Sequence, residues 1–173
     1  NITGGNETFP GVLGTTVVKV FDLNVSRVGL GEVDARKAGF DPVTALAPGF
    51  DRASYYPGAL MITVKLVVDS VTGRVLGGQV LGPGEVARRI DVLVSTISVG
   101  GTAEDIANLD LAYSPPFNGA MDVLHHAANT VRNKMTGQAK AISPAEVNEL
   151  INNGEDFVLL DDPQTDESAR SAT

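Results

Sequence analysis

Alternating apolar and polar residues mark the first half of the chain, and the clearest case lies at 59–68. One face of this predicted strand carries five apolar residues: Leu60, Ile62, Val64, Leu66 and Val68. Residues 69–73 supply a turn, and 74–81 return as the second arm of a hairpin. Gly77 and Gly78 in that arm indicate a bulge or a close approach of another backbone segment.

The residues before the hairpin predict two more extended segments and a short helix. The β-branched, apolar run 15–21 predicts a strand, and the following residues up to Val28 either continue it or pair back on it. A short helix is predicted over 30–38, with Gly39 just after its end. Segment 40–47 contains a proline and is followed by another, which restricts it to an edge strand or an extended loop.

Helical spacing replaces alternation after the hairpin. A helix that opens at Glu85, with this carboxylate at the positive end of the helix dipole, is predicted to end at Gly100-Gly101. A capping box at 102–105 predicts a second, short helix. A third helix is predicted from the apolar stripe Leu124, Ala127, Ala128, Val131 and Met135. Strands followed by helices predict an α+β fold, in which helices flank an antiparallel sheet.

The pattern changes again after Gly137. Residues 139–142 predict a short strand, Ser143-Pro144-Ala145-Glu146 begins a capped helix, and 157–161 predict a buried-type strand. A strand, a helix and a strand form the beginning of an α/β unit, which is truncated here. The predicted divisions are a main domain at 1–137, the α/β start at 138–162 and a disordered tail at 163–173.

Composition restricts the partners and the chemistry. The 173 residues carry a net charge of −8, which argues against nucleic acid or an anionic membrane as the main partner. Cysteine is absent, which excludes disulfides, thiolate chemistry and cysteine metal sites from these residues. No apolar run approaches the roughly 20 residues of a membrane span. Since the chain starts at Asn1 without a signal-peptide pattern, we expect sequence upstream of it and a cytoplasmic protein.

Six short segments occur in an order that is specific when taken together. They are Gly11-Val12-Leu13-Gly14-Thr15, Lys19-Val20-Phe21-Asp22, Gly29-Leu30, Tyr55-Tyr56-Pro57-Gly58, Arg89-Ile90-Asp91-Val92-Leu93, and Leu109-Asp110-Leu111-Ala112-Tyr113 with Pro115-Pro116. In this order they resemble the C-terminal dimerisation domain of the pyridine nucleotide-disulfide oxidoreductases, within the coenzyme A-disulfide reductase, NADH oxidase and persulfide reductase branch.

The resemblance implies a homodimer and upstream domains that bind FAD and NAD(P)H, with no cofactor held by these residues themselves. It also implies that Tyr113 and Tyr55 are lent to the active site of the partner subunit. A phenol can donate a hydrogen bond to a developing anion or protonate a thiolate leaving group. The alternatives are a buried Tyr113 with one hydrogen-bond partner and a Tyr55 that packs in an interface. Pro115, Pro116 and Phe117 would shape the loop and form an apolar wall against the flavin.

Two histidines and two arginines are weaker candidates for functional residues. His125 and His126 are adjacent on a predicted helix and do not face one ion, so we expect them on the helix surface or in an interface. Arg88 or Arg89 pairs locally with Asp91, or Arg89 contacts an anion such as the coenzyme A phosphates. We predict no metal site.

The segment after Gly137 carries a second, less specific resemblance, to the start of a rhodanese domain. It departs from that pattern because Asp162-Pro163 replace the Val-Arg pair that usually follows Leu-Leu-Asp. This resemblance favours sulfur substrates for the parent enzyme over oxygen. A different class of function also stays open, a free-standing structural dimerisation module without catalysis.

Overall fold

The structure, a computed structural model, describes residues 4–6 and 8–158. It divides the chain into two units, with the boundary between Lys140 and Ala141. Among the described residues, the first unit contains a sheet and four helices. The described part of the second unit contains one helix, α5, at Pro144–Asn153.

Five antiparallel strands form the sheet of the first unit. They are β1 (Thr16–Val20), β2 (Leu23–Gly29), β3 (Pro42–Phe50), β4 (Met61–Asp69) and β5 (Val75–Gly82), in the spatial order β1-β2-β5-β4-β3. The residues after β1 pair back on it, with Thr16 opposite Arg27. The proline-containing strand β3 lies at the sheet edge, where a missing N–H leaves no ladder partner unsatisfied. The predicted α+β fold is confirmed.

Helices cover one face of the sheet and part of the other. They are α1 (Glu32–Lys37), α2 (Ala87–Ser98), α3 (Ala103–Ala107) and α4 (Val123–Met135). α2 packs on β2 and β5, and α4 packs on β3 and β4. Their side of the sheet holds the buried residues Ile62, Val64 and Leu66, as predicted from the alternation. The short helix α1 lies on the opposite face, where Glu32 accepts a hydrogen bond from Lys65 at 3.1 Å.

Both interpretations of the glycine pair in β5 are confirmed. The pairing register shifts between Val67 and Val68, which leaves Leu76 as the extra residue of a bulge. A β-carbon at Gly77 would lie 2.6 Å from the backbone nitrogen of Leu30, and one at Gly78 would lie 2.5 Å from Cδ1 of Leu93. The two glycines therefore let the chain before α1 and the centre of α2 come close to β5.

Gly77→Ser should lower the free energy of unfolding by about 1–3 kcal/mol, because the new β-carbon collides with backbone atoms that cannot rotate away. Gly31→Ser is the matched control, since its β-carbon would be 3.9 Å from the nearest atom, Oδ2 of Asp34. Urea unfolding of both variants measures the difference. Equal stability of the two would contradict the close approach at Gly77.

Two sequence expectations about secondary structure are wrong, and a third is contradicted at the two residues where the structure tests it. α2 begins at Ala87, not at Glu85, because Glu85 contributes its side chain: the carboxylate accepts the Arg88 N–H at 2.8 Å. Residues 139–142 form no strand, and neither Phe157 nor Val158 lies in one. A strand needs a neighbour for its backbone groups, and the described part of the second unit contains none. The rest of the expected second strand, 159–161, and the tail at 163–173 lie outside the described residues.

The capped helix after Pro144 is confirmed as α5. The Ser143 hydroxyl accepts the Glu146 N–H at 3.2 Å, and the Glu146 carboxylate accepts the Ser143 N–H at 2.5 Å. Gly154 ends the helix in the left-handed conformation, with a φ of 66°. These local signals determine one helix but no sheet.

Candidate functional site

Two loops bring Tyr55 and Tyr113 together. The β3–β4 loop (51–60) carries Tyr55, and the α3–α4 loop (108–122) carries Tyr113. The loops are joined through their backbones, because the Ala53 N–H donates to the Pro115 carbonyl at 3.3 Å. The two side chains line one cavity of about 380 Å³, and both are accessible, Tyr55 at 75% and Tyr113 at 52%. In this chain, then, Tyr113 is not a buried tyrosine.

The two phenols also act on each other. A hydrogen bond with Tyr113, with smaller contributions from its charge and from burial, raises the pKa of Tyr55 above its usual value. A phenol ordinarily ionises near pH 10, so Tyr55 keeps its proton at neutral pH. The cavity therefore presents phenolic hydroxyl groups that can donate hydrogen bonds, and the side chains of Arg52, Ser54 and His126 lie around them.

The residues after Tyr113 form a tight turn outside this cavity. The Ser114 carbonyl accepts the Phe117 N–H at 2.8 Å and the Asn118 N–H at 3.0 Å. Pro115 and Pro116 are half-buried within the turn, whereas the ring of Phe117 is 69% exposed. The turn thus displays one exposed aromatic ring, and the expected contact of these three residues with a flavin stays a prediction.

The sequence pointed to Arg89 as a surface residue but did not show its burial: it lies in α2 with only 1% of its surface exposed. Its Nε donates to Asp122 at 3.1 Å, and its Nη1 donates to Glu85 at 2.8 Å. Its Nη2 donates to the Asp51 carbonyl at 2.7 Å and faces Oδ1 of Asn118 at 3.4 Å. One guanidinium therefore contacts both tyrosine-bearing loops.

These contacts overturn two expectations about the arginines. Arg89 does not bind an external phosphate, because its donors are used inside the protein and its side chain is buried. Arg88 approaches Glu85 at 3.7 Å and Asp122 at 3.9 Å, and no ion pair with Asp91 forms in the described structure. Glu85 lies one turn before both arginines, and this spacing was the one signal in the sequence that pointed to them.

Asp51 joins the two ends of the β3–β4 loop through hydrogen bonds to Leu60. One carboxylate oxygen accepts the Leu60 N–H at 3.1 Å, and the other accepts the Glu85 N–H at 3.1 Å. Burial by itself would raise the pKa of Asp51, but hydrogen bonds from Arg52 and these two N–H groups outweigh it and hold the pKa below its usual value. Asp51 is thus a charged carboxylate at neutral pH, and it joins the first and last residues of the loop that carries Tyr55.

The histidines divide into a structural one and an exposed one. His125 was expected at the surface or in an interface but is 8% exposed, because its Nδ1 accepts the Asp122 N–H at 3.0 Å in a capping box at the start of α4. Its Nε2 therefore carries the proton and donates to the Leu109 carbonyl at 2.9 Å. His126 points the other way, is exposed and lines the tyrosine cavity.

The sheet face opposite α2 and α4 carries exposed apolar side chains where α1 does not cover it. We call this area the open face. Its members, each between 37% and 48% exposed, are Val18, Val20, Leu23, Val25, Phe50, Met61 and Leu81. Contiguous apolar surface of this kind is typical of interaction sites.

A metal-binding cluster and a membrane-spanning helix are both absent from the described residues. Within 4–6 and 8–158, no group of three or more His, Asp or Glu side chains is arranged to hold a metal ion. None of the helices in this part of the chain is long and apolar enough to cross a membrane.

Residues 15–137 match the family described as pyridine nucleotide-disulphide oxidoreductase, dimerisation domain. This match covers more than half of the chain, and the chain belongs to that family. The resemblance expected from the six sequence segments is therefore confirmed, and the antiparallel sheet with its helices is the fold of this dimerisation domain.

Individual relatives come from one branch of the family. The NAD(P)H sulfur oxidoreductase (CoA-dependent) of Pyrococcus furiosus is 44% identical over 124 residues, which are 72% of this chain and 28% of that protein. The structure of the NAD-dependent persulfide reductase from A. fulgidus has a TM-score of 0.80 and 47% identity, over 84% of this chain and 27% of that one.

A second solved structure is similar in fold over most of this chain. Reduced Bacillus anthracis CoADR-RHD has a TM-score of 0.81 and 30% identity, over 86% of this chain and 27% of that one. The chain thus spans 27–28% of the length of these relatives, which place the dimerisation domain in a much longer protein.

Proposed function

We propose that this chain is the dimerisation domain of an FAD- and NAD(P)H-dependent reductase and lends Tyr55 and Tyr113 to the active site of a partner subunit. The observation that carries the proposal is the convergence of the two tyrosines in one accessible cavity. Because they come from loops far apart in sequence, only the folded domain can present them together. A site made of exposed phenols alone is incomplete, so its other half would come from the partner.

The chemistry proposed for the pair is proton donation. Both phenols line the same cavity, so a hydroxyl group of either tyrosine is placed to donate to a ligand there. A hydrogen-bond donor at this position would stabilise a thiolate leaving group as its negative charge develops. Transfer of the phenolic proton would then complete the release of the thiol.

FAD and NAD(P)H would bind outside the residues described here. Dinucleotides bind at the carboxyl ends of parallel strands in βαβ units, whereas every strand pair in this sheet is antiparallel. The exposed ring of Phe117, with the neighbouring Pro115 and Pro116, would form an apolar wall beside the flavin. No step of the proposed proton donation depends on that contact.

The substrate class we favour is sulfur in an oxidised form: coenzyme A disulfide, a persulfide or a polysulfide. Two relatives are named for sulfur and persulfide reduction, while an NADH oxidase of Methanocaldococcus jannaschii, 33% identical over 138 residues, keeps oxygen as the second candidate. The rhodanese-like start at 138–162 would agree with sulfur chemistry in a cytoplasmic protein. Turnover of the full-length protein with persulfide and with oxygen decides between the two.

Homodimer formation is tested by sedimentation of this chain at micromolar concentration. We expect a dimer of twice 18.0 kDa, because burying apolar surface such as the open face against a second subunit is favourable. A monomer at that concentration, followed by a monomer of the full-length protein, would contradict the proposal.

A substitution in the open face tests whether this surface joins the two subunits. If the open face joins the subunits, Val25→Lys should convert the dimer to a monomer, because a charge in an apolar interface must be desolvated. Val71→Lys is the control, since Val71 is exposed in the turn between β4 and β5. A dimer that survives Val25→Lys would assign the open face to upstream domains of the same protein.

A further inference from the structure

The position of Arg89 among the two tyrosine loops needs an explanation that the proposed site does not supply. A guanidinium that is 1% exposed must be desolvated, and a buried ion pair by itself adds little to stability compared with apolar side chains of the same volume. Asp122, 2% exposed as a side chain, compensates its charge at 2.9 Å. The remaining contacts of Arg89 are with the two loops that carry Tyr55 and Tyr113.

The first of these contacts is with the loop that carries Tyr55. Nη2 of Arg89 holds the Asp51 carbonyl at 2.7 Å, and the Asp51 carboxylate in turn holds the N–H groups of Leu60 and Glu85. Asp51 and Leu60 are the two ends of the β3–β4 loop. Arg89 therefore sets where this loop starts relative to α2.

The second contact leads to Tyr113. Nη2 of Arg89 also faces Oδ1 of Asn118 at 3.4 Å, and the amide nitrogen of Asn118 donates to the Ala112 carbonyl at 3.3 Å. Ala112 is the residue before Tyr113. Asn118 is 3% exposed, so this link is shielded from water.

We propose that Arg89 is a positioning residue, which sets the separation of Tyr55 and Tyr113 through Asp51 on one side and Asn118 on the other. Its effect on catalysis rests on the proposed function of the tyrosines, whereas its effect on their geometry does not. Arginine suits this task because its planar fork presents five N–H donors in fixed directions. Lysine keeps the charge but offers three donors on a single nitrogen, which cannot reach all of these partners.

The test uses Arg89→Lys in the full-length protein, because the retained charge still compensates Asp122. Arg132→Lys is the matched control: Arg132 also joins two helices, through Glu104 at 2.6 Å, but contacts neither tyrosine loop. Both proteins are labelled with 3-fluorotyrosine, and the ¹⁹F resonances of Tyr55 and Tyr113 are assigned with Tyr→Phe variants. This readout reports the surroundings of each phenol and needs no substrate.

The expected result is a shift of both assigned resonances in Arg89→Lys and unchanged resonances in Arg132→Lys. In wild type, Tyr55→Phe should shift the Tyr113 resonance because the two side chains line the same cavity. In the Arg89→Lys background that effect should shrink at least about twofold. Resonances of Arg89→Lys that coincide with those of wild type would overturn the proposal.

Turnover supplies the second readout. Arg89→Lys should lower kcat/KM for the sulfur substrate at least about tenfold, since small misplacements of a reacting group are costly. In a Tyr113→Phe background the same substitution should cause a smaller loss, because the part of its effect that passes through Tyr113 is already gone. An equal loss in both backgrounds would overturn the positioning role. If Tyr113→Phe itself leaves turnover unchanged, the proposed function fails, and the ¹⁹F result alone decides the role of Arg89.

A narrower variant covers the case in which Arg89→Lys does not fold. Asn118→Asp keeps the oxygen that faces Arg89 but replaces the donor to the Ala112 carbonyl. The Tyr113 resonance should shift more than that of Tyr55. Identical spectra of this variant and wild type would overturn the route through Asn118.

Discussion

Tyr113→Phe is expected to slow reduction of a sulfur substrate by the full-length protein about 10²-fold, while flavin binding stays as in wild type. The substitution removes only the hydroxyl, so the ring still lines the cavity beside Tyr55. Without that hydroxyl, the developing thiolate loses its hydrogen-bond donor. Steady-state kinetics give the loss in turnover, and flavin absorbance reports the bound cofactor.

Tyr56→Phe is the matched control for this experiment. Tyr56 lies next to Tyr55 in the same loop but does not line the cavity. Its variant should turn over as wild type does. If Tyr113→Phe also matches wild type, the proton-donor role is excluded and the chain is left with dimer formation as its contribution.

Arg89→Met should lower the free energy of unfolding by about 3–5 kcal/mol, the second large effect we expect. Methionine fills much of the volume but removes the positive charge. The buried Asp122 carboxylate then loses its partner at 2.9 Å and keeps only the more distant Arg88, at 3.9 Å. The Asp51 carbonyl loses its donor at the same time. Denaturant unfolding of the chain measures the change.

The double variant Arg89→Met with Asp122→Asn separates charge from packing. Asparagine keeps an oxygen that can accept the Leu124 N–H, as Asp122 does at 2.9 Å, so the start of α4 stays capped. Because no charge is then left uncompensated, the double variant should recover at least about half of the lost stability. A single variant within about 1 kcal/mol of wild type would contradict the buried-charge argument.

Local chemistry determined most of the secondary structure in advance. Alternation identified β4 and its buried residues, proline content placed β3 at an edge, and the capping boxes at Thr102 and Ser143 located the starts of α3 and α5. Each of these signals acts within a few residues of chain. The expected strand at 139–142 failed for the same reason: a strand depends on a partner segment, which no local pattern specifies.

The sequence could indicate Tyr55 and Tyr113 only through their proline-flanked loops and the family resemblance. That the two phenols share one cavity follows from the sheet topology, which brings the β3–β4 loop beside the α3–α4 loop. The burial of Arg89 was harder to predict from the sequence, because an arginine one turn after a glutamate on a helix usually forms a solvent-exposed ion pair with it. Nothing in its neighbours along the chain shows that it is buried.

By itself, then, the sequence determined the family, the α+β class and the register of apolar residues, since these depend on short-range periodicity and on ordered motifs. The tertiary structure alone decided which distant segments meet. Arg89 is bonded to Asp51, 38 positions away, and to Asp122, 33 positions away. A buried charge must be paired, and its partners come from the elements that pack around it. Which elements pack there is a property of the whole fold.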